Sequence, residues 1–313
     1  MSQTVIALGA HVFDVQVRPV ESIPQGQGAT LVEQIRFSPA GTAAGTALTL
    51  AKLGAAVRTA GAVGADPIGD LLLSMLARHG VDTSLVLRRD SAQTSASVLP
   101  IRPDGSRPAF HVLGANIAYG PDDAPHAQIA QATHLHMGAP ELMGGEAAAK
   151  ILAPARAAGV VTSADLLASG DSGLFEWIAP ALPYLDHLLP NEDQVLGLTG
   201  ASTLEEGARR FLAEGVGCVA ITRGARGALV VTDDEVIEIP AFAVDVVDTT
   251  GCGDAFTAGF LRGLGLGRSL RECGVLGCTA AALVAQGLGS DHGDFDLATA
   301  DTFAATAPIL ECH

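Results

Sequence analysis

Aromatic residues are scarce in this 313-residue chain: ten Phe, two Tyr and one Trp amount to 4% of it. Within a hydrophobic share of 48%, the core must therefore be filled largely by Ala, Val, Leu and Gly. Basic residues are few as well, 18 Lys and Arg against 34 Asp and Glu, for a formal charge of −16. No basic stretch stands out, so such a surface repels nucleic acid and anionic membrane, and attraction of an anionic ligand has to be local. The five cysteines (Cys218, Cys252, Cys273, Cys278 and Cys312) form neither a C-x-x-C pair nor an even set. That argues against a disulfide framework or a zinc site and for a reducing cytoplasm. No stretch approaches the roughly 18–20 uninterrupted apolar residues of a membrane span, and MSQTVIALGA lacks the charged start of a secretory leader. A soluble, cytoplasmic protein is expected. There is no internal repeat and no low-complexity linker, so residues 1–313 read as one large α/β domain with an excursion.

What is present is alternation. A short apolar run over 5–8, ending at Gly9, suits a buried first strand, and the small-residue stretch 42–53 suits a helix packed closely on a sheet. Strands are expected over 57–60, 133–137, 160–164, 187–189 and 219–222, with helices over 68–78, 145–158 and 205–214. Short apolar runs alternating with helices predict a mostly parallel, doubly wound sheet with helices on both faces. Ligands in such folds gather at the carboxyl ends of the strands. Two segments, 15–37 and 94–112, break the rhythm with β-prone stretches and turn residues. In the second, Pro103-Asp104-Gly105 separates 97–101 from 109–112 as in a hairpin. The two segments are either unrelated surface hairpins or one small β excursion that covers a site as a lid.

The most informative run is 247–260, Val-Asp-Thr-Thr-Gly-Cys-Gly-Asp-Ala-Phe-Thr-Ala-Gly-Phe. Gly251 and Gly253 leave a backbone segment with little side-chain shielding, and the spacing of Phe256 and Phe260 predicts a helix directly after it. A Gly-rich turn opening a helix aims several N–H groups at one point, where the helix dipole adds partial positive charge. That geometry suits a transferring phosphoryl group. Asp254 beside it is either an ordinary helix cap or a base that takes the proton of an attacking hydroxyl. The Cys252 thiol shares the helix start, where the dipole favours thiolate, unless apolar burial makes it inert.

The string D-T-T-G-C-G-D-A-F-x-A-G-F closely resembles the C-terminal motif of the ribokinase/PfkB family of carbohydrate kinases, in which Ala is usual at the Cys252 position. The resemblance spans the chain from Gly9 to about Gly289. It implies an ATP- and Mg²⁺-dependent kinase of a sugar or related polyol, with Asp254 as the catalytic base and the backbone of Gly251, Cys252 and Gly253 as an anion hole. It also favours the lid, and with it a homodimer formed through the lid. Asp14, just past the first strand, matches the Asp that holds the acceptor. Pro39-Ala40-Gly41-Thr42-Ala43-Ala44-Gly45 resembles the N-terminal Gly-Gly motif, with Gly41 kept, Ala40 for the first Gly and Gly45 where Asn is usual. Gly45 is either a feature of close helix–sheet packing or part of a substrate pocket widened by the missing amide. Gly64 and Asp66 fall in a further family-like loop.

Leu189-Pro190-Asn191-Glu192-Asp193-Gln194 resembles the P-N-x-x-E element that helps to position Mg²⁺ and phosphate. Gln194 replaces Glu and so implies a weaker, water-mediated hold on the metal. The turn around Thr222 and Gly224 is either a plain strand–turn–strand hairpin or the family's contact to nucleotide phosphates, with Arg223 nearby. Cys278 stands where some members place an Asn near adenine, which leaves base recognition to apolar packing. Residues matching Asp248 and Thr250 hold a monovalent cation, such as K⁺, in several members. A nucleoside kinase of the same family and a non-catalytic sugar or nucleotide sensor are the alternative readings. The sensor draws on the losses at Gly45 and Gln194. A nicotinamide dehydrogenase is excluded, because no G-x-G-x-x-G follows the first strand.

Overall fold

The computed structural model describes residues 3–103, 106–168 and 170–310. Asp104 and Gly105 of the expected hairpin turn, and Cys312, lie outside the described residues. In chain order the first strands are β1 (Thr4–Gly9), β2 (Val12–Arg18), β3 (Gln34–Ala40), β4 (Ala56–Gly64), β5 (Asp82–Arg89), β6 (Ala96–Pro100) and β7 (Phe110–Val112). They are followed by β8 (His134–Gly138), β9 (Val161–Asp165), β10 (His187–Leu188), β11 (Cys218–Thr222), β12 (Ala228–Val231) and β13 (Val236–Ile239).

Nine of these strands form the main sheet, in the order β13-β12-β11-β10-β9-β8-β1-β4-β5. The pairs from β11 through β10, β9, β8, β1 and β4 to β5 are all parallel. The reason is visible in β1. Ile6 and Leu8 face one apolar cluster with the Gly145–Ala157 helix, while Val5 and Ala7 face another with the Thr42–Lys52 and Cys252–Gly265 helices. A strand buried on both faces reads as a continuous apolar run rather than an alternating one. Chain order reverses at β1, between β4 and β8, and the crevice at such a switch point is where doubly wound sheets bind ligands.

The remaining four strands make a separate sheet, β3-β2-β6-β7, with β2–β3 and β6–β7 antiparallel and β2–β6 parallel. This is the small β lid, drawn from the two segments that interrupt the alternation. Period-2 geometry turns Asp14, Gln16, Ser38 and Ser97 inward, where all four are buried, and leaves Ile35, Phe37, Val98 and Phe110 exposed. At the root of the lid, His11 is buried between the Gly9 carbonyl and the Thr59 hydroxyl, each 2.8 Å from a ring nitrogen. Burial lowers this imidazole to about 4, so it ties β1 to β4 as a neutral ring.

One part of the sheet differs from expectation. The segment after β11 turns back, and β12 and β13 add an antiparallel edge. The turn at 223–227 is thus the strand–turn–strand hairpin, and it also borders the cavity described next. Among the described residues, no helix is long and apolar enough to cross a membrane.

Candidate active site

The Cys252–Gly265 helix starts at Gly251, whose backbone is left-handed at φ 78° and packs directly on Ser290. A Cβ at Gly251 would collide with that serine, so this turn admits only glycine. The helix's first N–H groups open onto the cleft, although the Cys252 N–H leans back to the Thr249 carbonyl at 3.3 Å. Asp254 sits in the first turn, directly against Gly45 of the Thr42–Lys52 helix. A side chain at 45 would strike the Asp254 carboxyl, so Gly45 is what lets the two helices bring this carboxylate to the cleft. Of the two readings of Gly45, the packing reading is the one these contacts describe, because Asp254 fills the space beside it. Gly41 caps the same helix with its backbone against Ala10.

Burial holds the Asp254 carboxyl well above the usual carboxylate range, and the nearby charges of Asp165 and Asp14 push it further in the same direction. Asp14 reaches in from β2. Burial raises it to about 6, against the stabilising Ser97 hydrogen bond and the Arg107 charge. Asp165, at the carboxyl end of β9, is buried, and its Oδ1 faces His136 Nε2 at 3.5 Å with no hydrogen bond to either atom. The charges of Asp14 and Asp165 thus both act on Asp254. Asp165 was not singled out from sequence; its position at the end of a predicted strand is the signal that could have found it.

Arg107 is the other residue missed. It descends from the lid, donating to Thr250 Oγ1 at 2.9 Å and to Thr249 Oγ1 at 3.4 Å, with its Nε 3.9 Å from Asp248. Its charge lowers the pKa of both Asp14 and Asp254. Asp248 Oδ1 accepts from the Thr250 N–H and hydroxyl, and Oδ2 accepts from the Gly289 N–H and Gln16 Nε2. In this structure the cation beside Asp248 and Thr250, the pair expected to hold a monovalent ion, is the guanidinium of Arg107. No local sequence signal links positions 107 and 250.

On the other side of the 251–253 turn lies an apolar cavity of about 410 Å³, lined by Thr222, Gly224, Phe256, Cys278, Ala281 and Val246 among others. Thr222 bridges to Asn191, so these two expected nucleotide contacts adjoin. Cys252 also lines the cavity, with its thiol 3.5 Å from the Ala281 carbonyl, and burial pushes it up to about 12, as it does Cys278. Of the two readings of Cys252, the inert buried thiol is therefore the one that fits, because loss of hydration outweighs the helix dipole here.

Gln194 needs a correction as well. Its carbonyl accepts from the Asn191 N–H at 2.9 Å, closing a capping box with the Asn191 side chain. Its amide donates to the carbonyls of Leu166 and Ala168 at 2.9 and 3.1 Å. Gln194 thus fastens the loop after β9 instead of facing a hydrated cation, and a glutamate there would meet two carbonyl oxygens without donors. Arg223 Nη1 lies 3.8 Å from Glu238, and Glu192 pairs with Arg226. Asp66 caps the helix after β4 and holds Thr94, which makes the 64–66 loop structural. Among the described residues, no group of three His, Cys, Asp or Glu side chains is arranged to hold a metal ion.

A deep carboxylate at a helix start, beside an apolar cavity and near a β lid, is compatible with phosphoryl transfer to an alcohol. Comparison with known proteins gives the family. A profile of the pfkB family carbohydrate kinases matches residues 2–295, and the chain belongs to that family. It is 33% identical over 264 residues to an ATP-dependent ribose-1-phosphate kinase of Halopiger xanaduensis, covering 82% of this chain and 83% of that one. It is 27% identical over 292 residues to a nucleoside kinase of Methanothermobacter thermautotrophicus, covering 91% and 90%. An E. coli protein solved in complex with ATP and Mg²⁺ shares the fold, with a TM-score of 0.83 at 22% identity over 97% of this chain and 99% of that one. The protein is a carbohydrate kinase, a phosphotransferase with an alcohol group as acceptor.

Proposed function

We propose that the chain transfers the γ-phosphoryl group of ATP to a hydroxyl of a sugar or related small polyol held between the main sheet and the lid. The observation that carries this reading is Asp254, lifted by burial and set in the first turn of the helix whose N–H groups face the cleft. Asp254 takes the proton from the acceptor hydroxyl as that oxygen attacks, and the backbone of 251–253 holds the charge on the transferring group. Asp14 accepts further hydroxyls from the lid side. The nucleotide base lies in the apolar cavity by Thr222, Gly224 and Cys278, with Asn191 adjoining. ATP with Mg²⁺ as the donor is supported by the E. coli structure. The side chains present build no protein cage for that ion, and none of these steps passes through it.

A nucleoside acceptor is the second reading. It is favoured by the similarity to the archaeal nucleoside kinase. Screening ATP consumption against free sugars, ribose 1-phosphate and nucleosides separates the two, and turnover of none of them rejects both in favour of a sensor. The exposed apolar face of the lid, with Phe110 61% and Ile35 59% accessible, supports a homodimer through that sheet. A monomeric mass by light scattering at micromolar concentration rejects it.

A further inference from the structure

Lys52 ends the Thr42–Lys52 helix, and its ammonium lies within 2.8, 2.9 and 2.6 Å of the carbonyl oxygens of Asp291, His292 and Gly293. It also sits 4.9 Å from the centre of the Phe295 ring. Three converging carbonyls at these distances form a cradle that suits ammonium or K⁺ and is loose for Na⁺. Burial lowers Lys52 to about 8, which leaves it cationic at neutral pH.

The loop held by this cradle reaches the reaction centre. Its Gly289 N–H donates to Asp248 Oδ2 at 3.1 Å, and Asp248 in turn accepts from Thr250, the residue before the Gly251 turn. Ser290 packs on Gly251 itself and donates to the Pro39 carbonyl at the root of the lid. Arg36 of β3 pairs with Asp291 at 2.9 Å. The backbone that closes the phosphoryl site thus rests on a loop pinned by a side-chain cation, just as Asp248 rests against Arg107.

We infer that Lys52 is a built-in monovalent cation: a positioning residue that orders the 289–293 loop, and through it the 251–253 turn, so that nucleotide binding needs no dissolved K⁺. This rests on the proposed role of 251–253 as the phosphoryl site. Binding of Mg²⁺·AMP-PNP, followed by titration calorimetry in NaCl, KCl and NH₄Cl, tests it without knowledge of the acceptor. The wild-type protein is expected to bind equally in all three salts. Lys52→Met, which keeps an apolar stem, and Lys52→Ala are expected to bind at least roughly tenfold more weakly in NaCl. Lys52→Ala should recover in KCl or ethylammonium chloride, which a purely mechanical role for the side chain would not produce. Wild-type binding that requires K⁺, variants that bind normally in NaCl, or a loss that no cation restores each overturn the inference. Should both variants fail to fold, the wild-type salt series still decides. Wild-type protein that binds no AMP-PNP in any salt would instead count against the phosphoryl-site reading.

Discussion

On one side of the 251–253 turn the cavity wall is Phe256, Ala281, Ala282, Ala285 and Val246, and burial keeps both cysteines that face it protonated. On the other side the charges of Asp14 and Asp165 act on Asp254, with the lid's Arg107 offsetting part of the rise at Asp14 and Asp254. The contrast indicates how each partner is recognised. On the proposed reading, the apolar side selects the donor by shape and leaves its charge to backbone N–H groups, which need no side chain. On the same reading, the polar side selects the acceptor by hydrogen bonding, and burial already raises both Asp14 and Asp254 there. Mutations should therefore have large effects on function on the polar side and small ones on the apolar side.

The largest expected effect is that of Asp254→Asn. The amide is close in size but cannot take the proton, so kcat should fall by roughly 10²–10⁴-fold while binding of Mg²⁺·AMP-PNP persists. Because burial raises this carboxyl, the wild-type rate should climb with pH as the base ionises. A variant with wild-type kcat would reduce Asp254 to a helix cap and erase the functional contrast between the two sides.

Arg107→Met comes next. It removes a charge-assisted contact to Thr250 and the cation that lowers Asp14 and Asp254. We expect kcat/KM for the acceptor to drop by roughly ten- to a hundredfold, with the acidic limb of the rate profile moving to higher pH. An unmoved limb would mean that Arg107 does not tune these carboxylates.

How much of this was legible beforehand follows from sequence separation. Gly251, Gly253 and Asp254 adjoin along the chain, so their chemistry shows in one short string. The parallel sheet showed in its apolar runs, and the lid in the two stretches without helices. Arg107 and Thr250 are 143 positions apart, and Lys52 and Asp291 are 239 apart; such pairs exist only once the sheet has folded. The surroundings of Gln194 and Cys252 were hidden for a related reason. Whether an amide faces solvent or caps a helix, and whether a thiol at a helix start is hydrated, depends on what packs over it. The hairpin after β11 was one of two open readings of the 222–227 turn, while β13 was not foreseen, because a short apolar run does not declare the direction of its strand.

Asp14→Asn sharpens the comparison through stability. The folded carboxyl titrates at about 6 rather than the ordinary 3.8, so the folded state holds the proton more tightly. That advantage is fully present below pH 3.8 and is lost as pH rises through about 6. At neutral pH the ionised Asp14 then costs up to about 3 kcal/mol. Asp14→Asn should raise the melting temperature by several degrees at pH 7, leave it nearly unchanged at pH 4, and weaken acceptor turnover. A variant that is no more stable at pH 7 would show that water or Arg107 already relieves the site.

The smallest effect should come from the apolar side, at Cys252. With its thiol raised to about 12, the thiolate fraction at pH 7 is minute, so alkylating reagents should modify the native protein slowly. Its side chain meets the Ala281 carbonyl across a weak 3.5 Å contact, and the proposed mechanism uses only backbone N–H groups of this turn, not the sulfur. Cys252→Ala should therefore keep kcat and the KM for ATP within about twofold, since the small deletion in a wall already rich in alanine removes little area. Mass mapping after partial alkylation provides the check. Rapid modification at Cys252 with loss of activity, prevented by ATP, would place a hydrated thiolate at the helix start and move the boundary between the two sides into the anion-binding turn itself.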